Sequence, residues 1–236
     1  GNFKKSLVVL DFFRSISDSL IMSVGPAVLQ TVCVAFVGFG LARYKVPFKG
    51  TLMVLIATTF LIPSQITMVP RYVLYNDLGL LNTVWASYLP AILGQGMKSA
   101  IFILLVYQAC NSYPKAFDEA AMIDGANEWK IFYKIAMPMC KSPLILSLLF
   151  SLVWYWNEIT QASMLFGKAF QTLPIKLQQF QANYEAQFGA AVGTSSDSFN
   201  DAILMAGTLL SILPILIFYL LSQKQFVQSI ERSGIT

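Results

Sequence analysis

Histidine is absent from the 236 residues, and charge is scarce, with Asp, Glu, Lys and Arg together at 12%. The first absence removes the commonest general base and the commonest metal ligand. The second leaves too little polar surface for a water-soluble globule, since soluble domains carry about 25% charged residues. Cysteine is limited to Cys33, Cys110 and Cys140, whose spacings fit no metal motif and imply no disulfide framework. The formal net charge of +4 is modest, and no basic run carries interleaved stacking aromatics, so nucleic acid is not an expected partner. An apolar leader ending in a cleavage site is also missing, because residues 1–18 hold Lys4, Lys5, Asp11, Arg14 and Asp18.

What the chain has in excess is oil. It is 56% hydrophobic with a mean hydropathy of +0.62, against about 45–50% apolar residues in an average soluble domain. Five stretches reach the roughly 20 apolar residues that cross a bilayer, at 19–42, 51–72, 84–108, 143–166 and 202–221. The expected fold class is therefore an all-α membrane protein. Prolines and glycines interrupt several of these spans: Pro63 and Pro70 in the second, Gly94 and Gly96 in the third, Pro214 in the fifth. Such breaks survive in lipid where neighbouring helices or a water-filled cavity satisfy the freed backbone groups.

Lys and Arg in short loops set the orientation. The linker 43–50, RYKVPFKG, holds Arg43, Lys45 and Lys49 with no acid and is expected in the cytoplasm. Alternation then places 76–82 outside, 110–142 inside, 167–201 outside, and the tail 222–236, with Lys224 and Arg232, inside. Residues 1–18 form an outer N-terminal segment, and the parity of spans predicts a further span upstream. The stretch 181–200 reads as an outer loop.

The polar inner segment 112–142 is longer than a connection needs to be. Pro114 suits a helix start, and Asp118 and Glu119 suit the positive end of that helix. Phe117, Ala120, Ala121 and Asp124 share one face at i, i+3, i+4 and i+7. Gly125 is free to take positive φ and stop the helix. A second helix is expected to carry Trp129, Phe132, Tyr133 and Ala136 on one side, ended by Pro138 and Pro143. The product is an elbow of two short helices, either an interfacial linker or a docking surface for a soluble partner.

Ionisable groups at bilayer depth are candidates for function. Lys98 lies about 11 residues before the inner end of the third span and Glu158 about 15 after the inner start of the fourth, depths that differ by roughly 6 Å at 1.5 Å per residue. They are expected to face the interior together, as an ion pair or across a wet cavity. The alternative is that Glu158 reaches outer water while Lys98 extends separately to the interface. The run WYWNE, Trp154 to Glu158, suits a sugar's C–H faces and hydroxyls, or else an interfacial aromatic belt. Asn157 and Glu158 are the stronger path candidates, with Trp154 beside them. The stretch GQGMKS, residues 94–99, lacks the Gly-Lys pair of a phosphate-binding loop and is read as a helix break.

The elbow carries a recognisable pattern. Glu119-Ala120-Ala121, then Gly125, then Ile135 and Met137-Pro138 resemble the EAA loop of binding-protein-dependent ABC importer permeases, EAA–x3–G–x9–I–x–L–P, with Met137 in place of leucine. RYKVPFKG, GLLNTVWA, YPKAFDEAAMIDGA, VWYWNE, QTLPIKLQQF and the tail SQKQFVQSIERSGIT resemble the carbohydrate-uptake branch, in particular the smaller, six-span permease subunit of maltose type. The resemblance implies a type I importer transmembrane domain in a bacterial cytoplasmic membrane. Its partners would be a second permease, two cytoplasmic ATPase subunits that hold ATP and Mg, and an extracellular solute-binding protein. No cofactor would bind this chain, and catalysis would lie elsewhere. Glu119, Ala120, Ala121, Asp124, Gly125 and Pro138 would form the ATPase-coupling element. Two other readings of the chain are a self-sufficient secondary transporter, which ordinarily needs two repeated halves, and a membrane enzyme, which lacks a catalytic constellation.

Overall fold

The computed structural model describes residues 1–188 and 199–233. Every regular element among them is helical, as the hydropathy predicts. The centre is α2 (Phe12–Arg43), 32 residues long, which packs against α5 (Trp85–Ile92), α6 (Ser99–Ser112) and α10 (Lys141–Asn157). α14 (Asp201–Ser233) lies on the other side of α10, and α1 (Asn2–Val9) docks against α14. α2 and α14 are each long and apolar enough to cross a membrane unbroken.

The other expected spans are broken, each for a local reason. The second divides into α3 (Lys49–Leu61) and α4 (Ser64–Asp77), bent by 98°. The bend sits at Ile62, which is extended at ψ 118 because the ring of Pro63 excludes the helical region for the residue before it. Pro70 stays inside α4 and does not interrupt it. The third divides into α5 and α6 around Gly94, at φ +73, and Lys98, at φ +53. The fourth ends α10 at Asn157 and resumes as α11 (Thr160–Phe166). Pro214 does not break α14. In hydrocarbon, freed carbonyls find no water, so a tolerated proline leaves the helix running.

Two expectations need correction and a third gains detail. Residues 1–18, expected as an outer N-terminal segment, are helical and bonded to the bundle. α1 is helical, and Ser6 Oγ donates to Ile203 O at 2.9 Å. α2 begins seven residues before the expected span, because its charged first turns are absorbed by bonds: Asp18 Oδ2 accepts from Gln171 N at 2.9 Å and Ser19 Oγ from Leu173 N at 2.8 Å. The expected outer loop contains α13 (Phe180–Phe188), where Phe180, Tyr184 and Phe188 recur every four residues and pack into a core with Val9, Leu10 and Leu173, the last at the start of α12 (Leu173–Gln178); the part at 189–198 lies outside the described residues. The tail after residue 221 continues α14 to Ser233 rather than forming a separate segment.

The inner segment holds α7 (Ala116–Ile123), a turn at 124–127, then α8 (Glu128–Ile131), a π-helical turn Phe132–Ala136 and α9 (Met137–Met139). Its second limb meets α10 at 77°.

Candidate functional site

Three helix breaks converge on one cavity of about 670 Å³. Thr59, Pro63, Gln65 and Arg71 come from the α3/α4 bend, Gly94 to Ala100 from the α5/α6 break, and Trp154, Asn157, Glu158 and Gln161 from the α10/α11 break. Convergence of this kind has a physical basis. Irregular backbone at membrane depth survives only in protein or beside water, so breaks in neighbouring spans favour one shared polar space.

A buried clamp holds the α5/α6 break in place. Gln30 of α2, fully buried, donates through Nε2 to Met97 O and to Ser151 Oγ, both at 2.9 Å. Its Oε1 accepts from Tyr155 OH at 2.9 Å, and Tyr155 OH accepts from Met97 N at 3.0 Å. Gly96 passes so close beneath this clamp that a Cβ there would strike Gln30 Oε1 and lie 2.6 Å from Tyr155 OH.

All four path candidates line the cavity. Lys98 and Glu158 nonetheless do not form the expected ion pair. Lys98 Nζ sits over the Trp154 ring, 4.3 Å from its centroid, a contact worth about 0.5–2 kcal/mol depending on desolvation. Glu158 Oε1 accepts from Gln161 N at 2.8 Å and so caps the first turn of α11, taking up a backbone donor that the break frees. The two charges therefore face one cavity from separate anchors. Trp154, half-buried, packs between Phe102 and Phe150, at 5.5 and 5.7 Å. Trp156 is buried against Val9, Leu10 and Leu173 and takes no part. Asn157 turns its Nδ2 to Val153 O at 2.8 Å. The span 94–99 is the break itself.

Arg71 and Gln30 are functional candidates that sequence reasoning missed. Arg71 Nη1 donates to Gln161 Oε1 at 3.0 Å on the cavity wall. It falls one residue from the expected end of the second span, where a cation is ordinary. Gln30, a lone amide among apolar neighbours in the first span, was the available signal for the clamp.

On the elbow, Gly125 adopts φ +77 with open space around it. Phe117, Glu119, Ala120 and Asp124 are exposed and Ala121 is half-buried, so α7 presents a shallow face bordered by Met122 and Ile123, 57% and 87% exposed. Asp118 is the one buried residue of α7. The expected single stripe on the second limb is split. Trp129 and Tyr133 stack on each other in the open, centroids 6.2 Å apart, while Phe132 and Ala136 are buried. Phe132 stacks on Phe36 at 4.6 Å and meets Phe39 edge-on at 5.2 Å. Pro138 is exposed and lies within the last turn, and the limb ends at Cys140.

Arg43, the last residue of α2, reaches into the elbow. Its Nε lies 3.2 Å from Asp118 Oδ2, its Nη2 donates to Tyr113 O at 2.8 Å, and its guanidinium covers the Tyr113 ring at 3.5 Å. Tyr113 OH donates to Asp118 Oδ1 at 3.0 Å. Burial, reinforced by the Asp118 carboxylate and opposed by Arg43, pushes the Tyr113 phenol well above its ordinary range, so it stays a donor at neutral pH.

A family model described as binding-protein-dependent transport system inner membrane component matches residues 19–232. Among curated relatives, the probable ABC transporter permease protein YurM of Bacillus subtilis is 29% identical over 92% of this chain and 68% of its own length. The probable starch degradation products transport system permease protein AmyC of Thermoanaerobacterium thermosulfurigenes is 26% identical over 97% and 78%. The lactose transport system permease protein LacG of Rhizobium radiobacter is 28% identical over 94% and 73%. The same fold is seen in a bacterial ABC transporter involved in import of the acidic polysaccharide alginate, with a TM-score of 0.75 and 24% identity over 93% of this chain and 78% of that one.

Proposed function

This chain belongs to the family of binding-protein-dependent transport system inner membrane components, and from that premise we propose that it is the permease subunit of an ATP-driven importer of sugars or oligosaccharides. It would sit in the cytoplasmic membrane of a bacterium beside a second permease, two ATPase subunits and an extracellular solute-binding protein. The observation that carries the reading is the pairing of a polar cavity at converging helix breaks with a two-limbed elbow that exposes Phe117, Met122, Ile123, Trp129 and Tyr133. Exposed apolar area of that kind rimmed by charge marks an interaction surface, and the resemblance of Glu119 to Pro138 to the EAA loop supports the ATPase as its occupant. Relatives whose names specify lactose and starch degradation products support a saccharide as cargo.

In this reading ATP-driven closure of the ATPase pair moves the elbow, and the bundle passes between inward- and outward-facing states. Glu119, Ala120, Ala121, Asp124 and Gly125 seat the ATPase, and Pro138 stands in the last turn of the limb that carries the motion into α10. Lys98, Trp154, Asn157 and Glu158, joined by Arg71, line the passage. ATP and Mg stay on the partner subunits. Reconstitution into proteoliposomes tests it: saccharide uptake should need ATP, both permeases, the ATPase and the binding protein together. Uptake by this chain alone under an ion gradient would instead establish a secondary transporter.

A further inference from the structure

The two parts of the proposed machine, elbow and cavity, are separated along the bundle, and only some elements reach both. α7 carries the proposed ATPase seat yet has little hold on the rest of the molecule, with Asp118 its one buried residue. Apart from the chain itself, force applied to that limb passes to the bundle through Ala121, half-buried against the core, and through the Asp118 side chain, the one polar contact of the limb that is buried. Asp118 meets Arg43 and Tyr113, and all three are buried. Arg43 ends α2, and Gln30 stands 13 residues earlier on the same helix, about 20 Å away at 1.5 Å per residue. Gln30 in turn holds Met97 on the cavity wall. No proline lies between Gln30 and Arg43, the helix's internal proline being Pro26.

The chemistry of the contact is unlike that of a stability element. A buried ion pair loses much of its attraction to desolvation, and an apolar pair of similar volume commonly serves stability as well. Here two guanidinium nitrogens, Nε and Nη1, are also buried with no hydrogen-bond partner, Nε facing Asp118 as an ion pair alone. What such a contact does supply is direction. A planar guanidinium fixed by a carboxylate, a backbone carbonyl and an aromatic face resists both translation and rotation of the limb. The second limb is held differently, by Phe132 against Phe36 and Phe39, a contact that can slide.

We propose that Arg43, Asp118 and Tyr113 form a buried latch that converts displacement of α7 into displacement of α2, and through Gln30 into movement of the cavity wall. Arg43 and Asp118 are positioning residues in this scheme, and Tyr113 steadies their geometry. The proposal rests on the elbow being the ATPase seat.

The test uses the whole reconstituted transporter and reads solute taken up per ATP hydrolysed, a ratio that a merely structural contribution leaves unchanged. The double variant Arg43→Met/Asp118→Leu keeps the packing volume and removes the ion pair. It should assemble with both ATPase subunits and hydrolyse ATP, with uptake per ATP reduced at least tenfold. Tyr113→Phe, which keeps the ring and removes one hydrogen bond, should assemble normally and lower the ratio about two- to fivefold. An unchanged ratio in either variant would overturn the latch. Failure of the double variant to assemble would also overturn it, by making the pair a requirement for folding. Failure of the functional reading is separately visible, since the unmodified complex would then show no ATP-dependent uptake.

Discussion

Replacing Gly96 with alanine probes the cavity's most constrained point. The added Cβ meets Gln30 Oε1 and lies 2.6 Å from Tyr155 OH, closer than any tolerated contact. Either the 94–98 backbone retreats or the amide is displaced. Retreat is opposed by Met97, whose N and O are both bonded to the clamp. Displacing the amide leaves Gln30, fully buried, with unpaired polar atoms at a cost of about 1–3 kcal/mol. Overpacking alone costs about the same, roughly 1–3 kcal/mol, and the two responses share the strain, so a net loss of about 2–3 kcal/mol is expected. In a domain of this size that lowers the melting midpoint by about 4–12 °C. Thermal unfolding in detergent measures it, and a double-mutant cycle with Gln30→Ala isolates the cause. Adding Gly96→Ala to Gln30→Ala should cost less than half of what it costs alone, because the oxygen it strikes is gone. Equal costs in both backgrounds would refute the clamp as the reason for glycine at 96.

Three further outcomes follow from the same geometry. Gly125→Val should cost about 1–2 kcal/mol, the strain of a left-handed side-chain residue, and should leave the permease assembled while uncoupling ATP hydrolysis from uptake; intact coupling would remove the role given to the bend. Because Lys98 and Glu158 are anchored separately, Lys98→Glu/Glu158→Lys should transport no better than the worse single variant, and rescue by the swap would show a direct pair. Trp154→Leu should slow uptake by releasing Lys98 into the cavity, and an unchanged rate in the same proteoliposomes would deny the tryptophan a place on the path.

The all-helical class, the break at Gly94 and Gly96 and the bend before Pro63 are all readable from hydropathy and local stereochemistry, because lipid leaves the backbone few alternatives. What escapes such reading depends on partners distant in sequence. Asp18 marks the end of a span by charge, yet Gln171 supplies its bond and lets the helix start earlier. Pro214 reads as a break and is one only where something else satisfies the carbonyls. Lys98 and Glu158 share a depth and a cavity, but which atom each one meets is decided by Trp154 and by the first turn of α11. Asp118 looks like a helix-dipole residue until Arg43, 75 positions earlier, closes on it.

The π-helical turn at Phe132–Ala136 has a consequence for how such a machine changes over time. Within it Phe132 and Ala136 are buried, Phe132 against Phe36 and Phe39, while Tyr133 is exposed; Trp129, one turn earlier, is exposed as well and meets Phe36 edge-on at 6.0 Å. Grip and greeting are thereby written on separate stripes of one short rod. Under the proposed function, replacements of Tyr133 retune which motor is accepted without loosening Phe132 from its mounting, so the same membrane chassis can be driven by different engines.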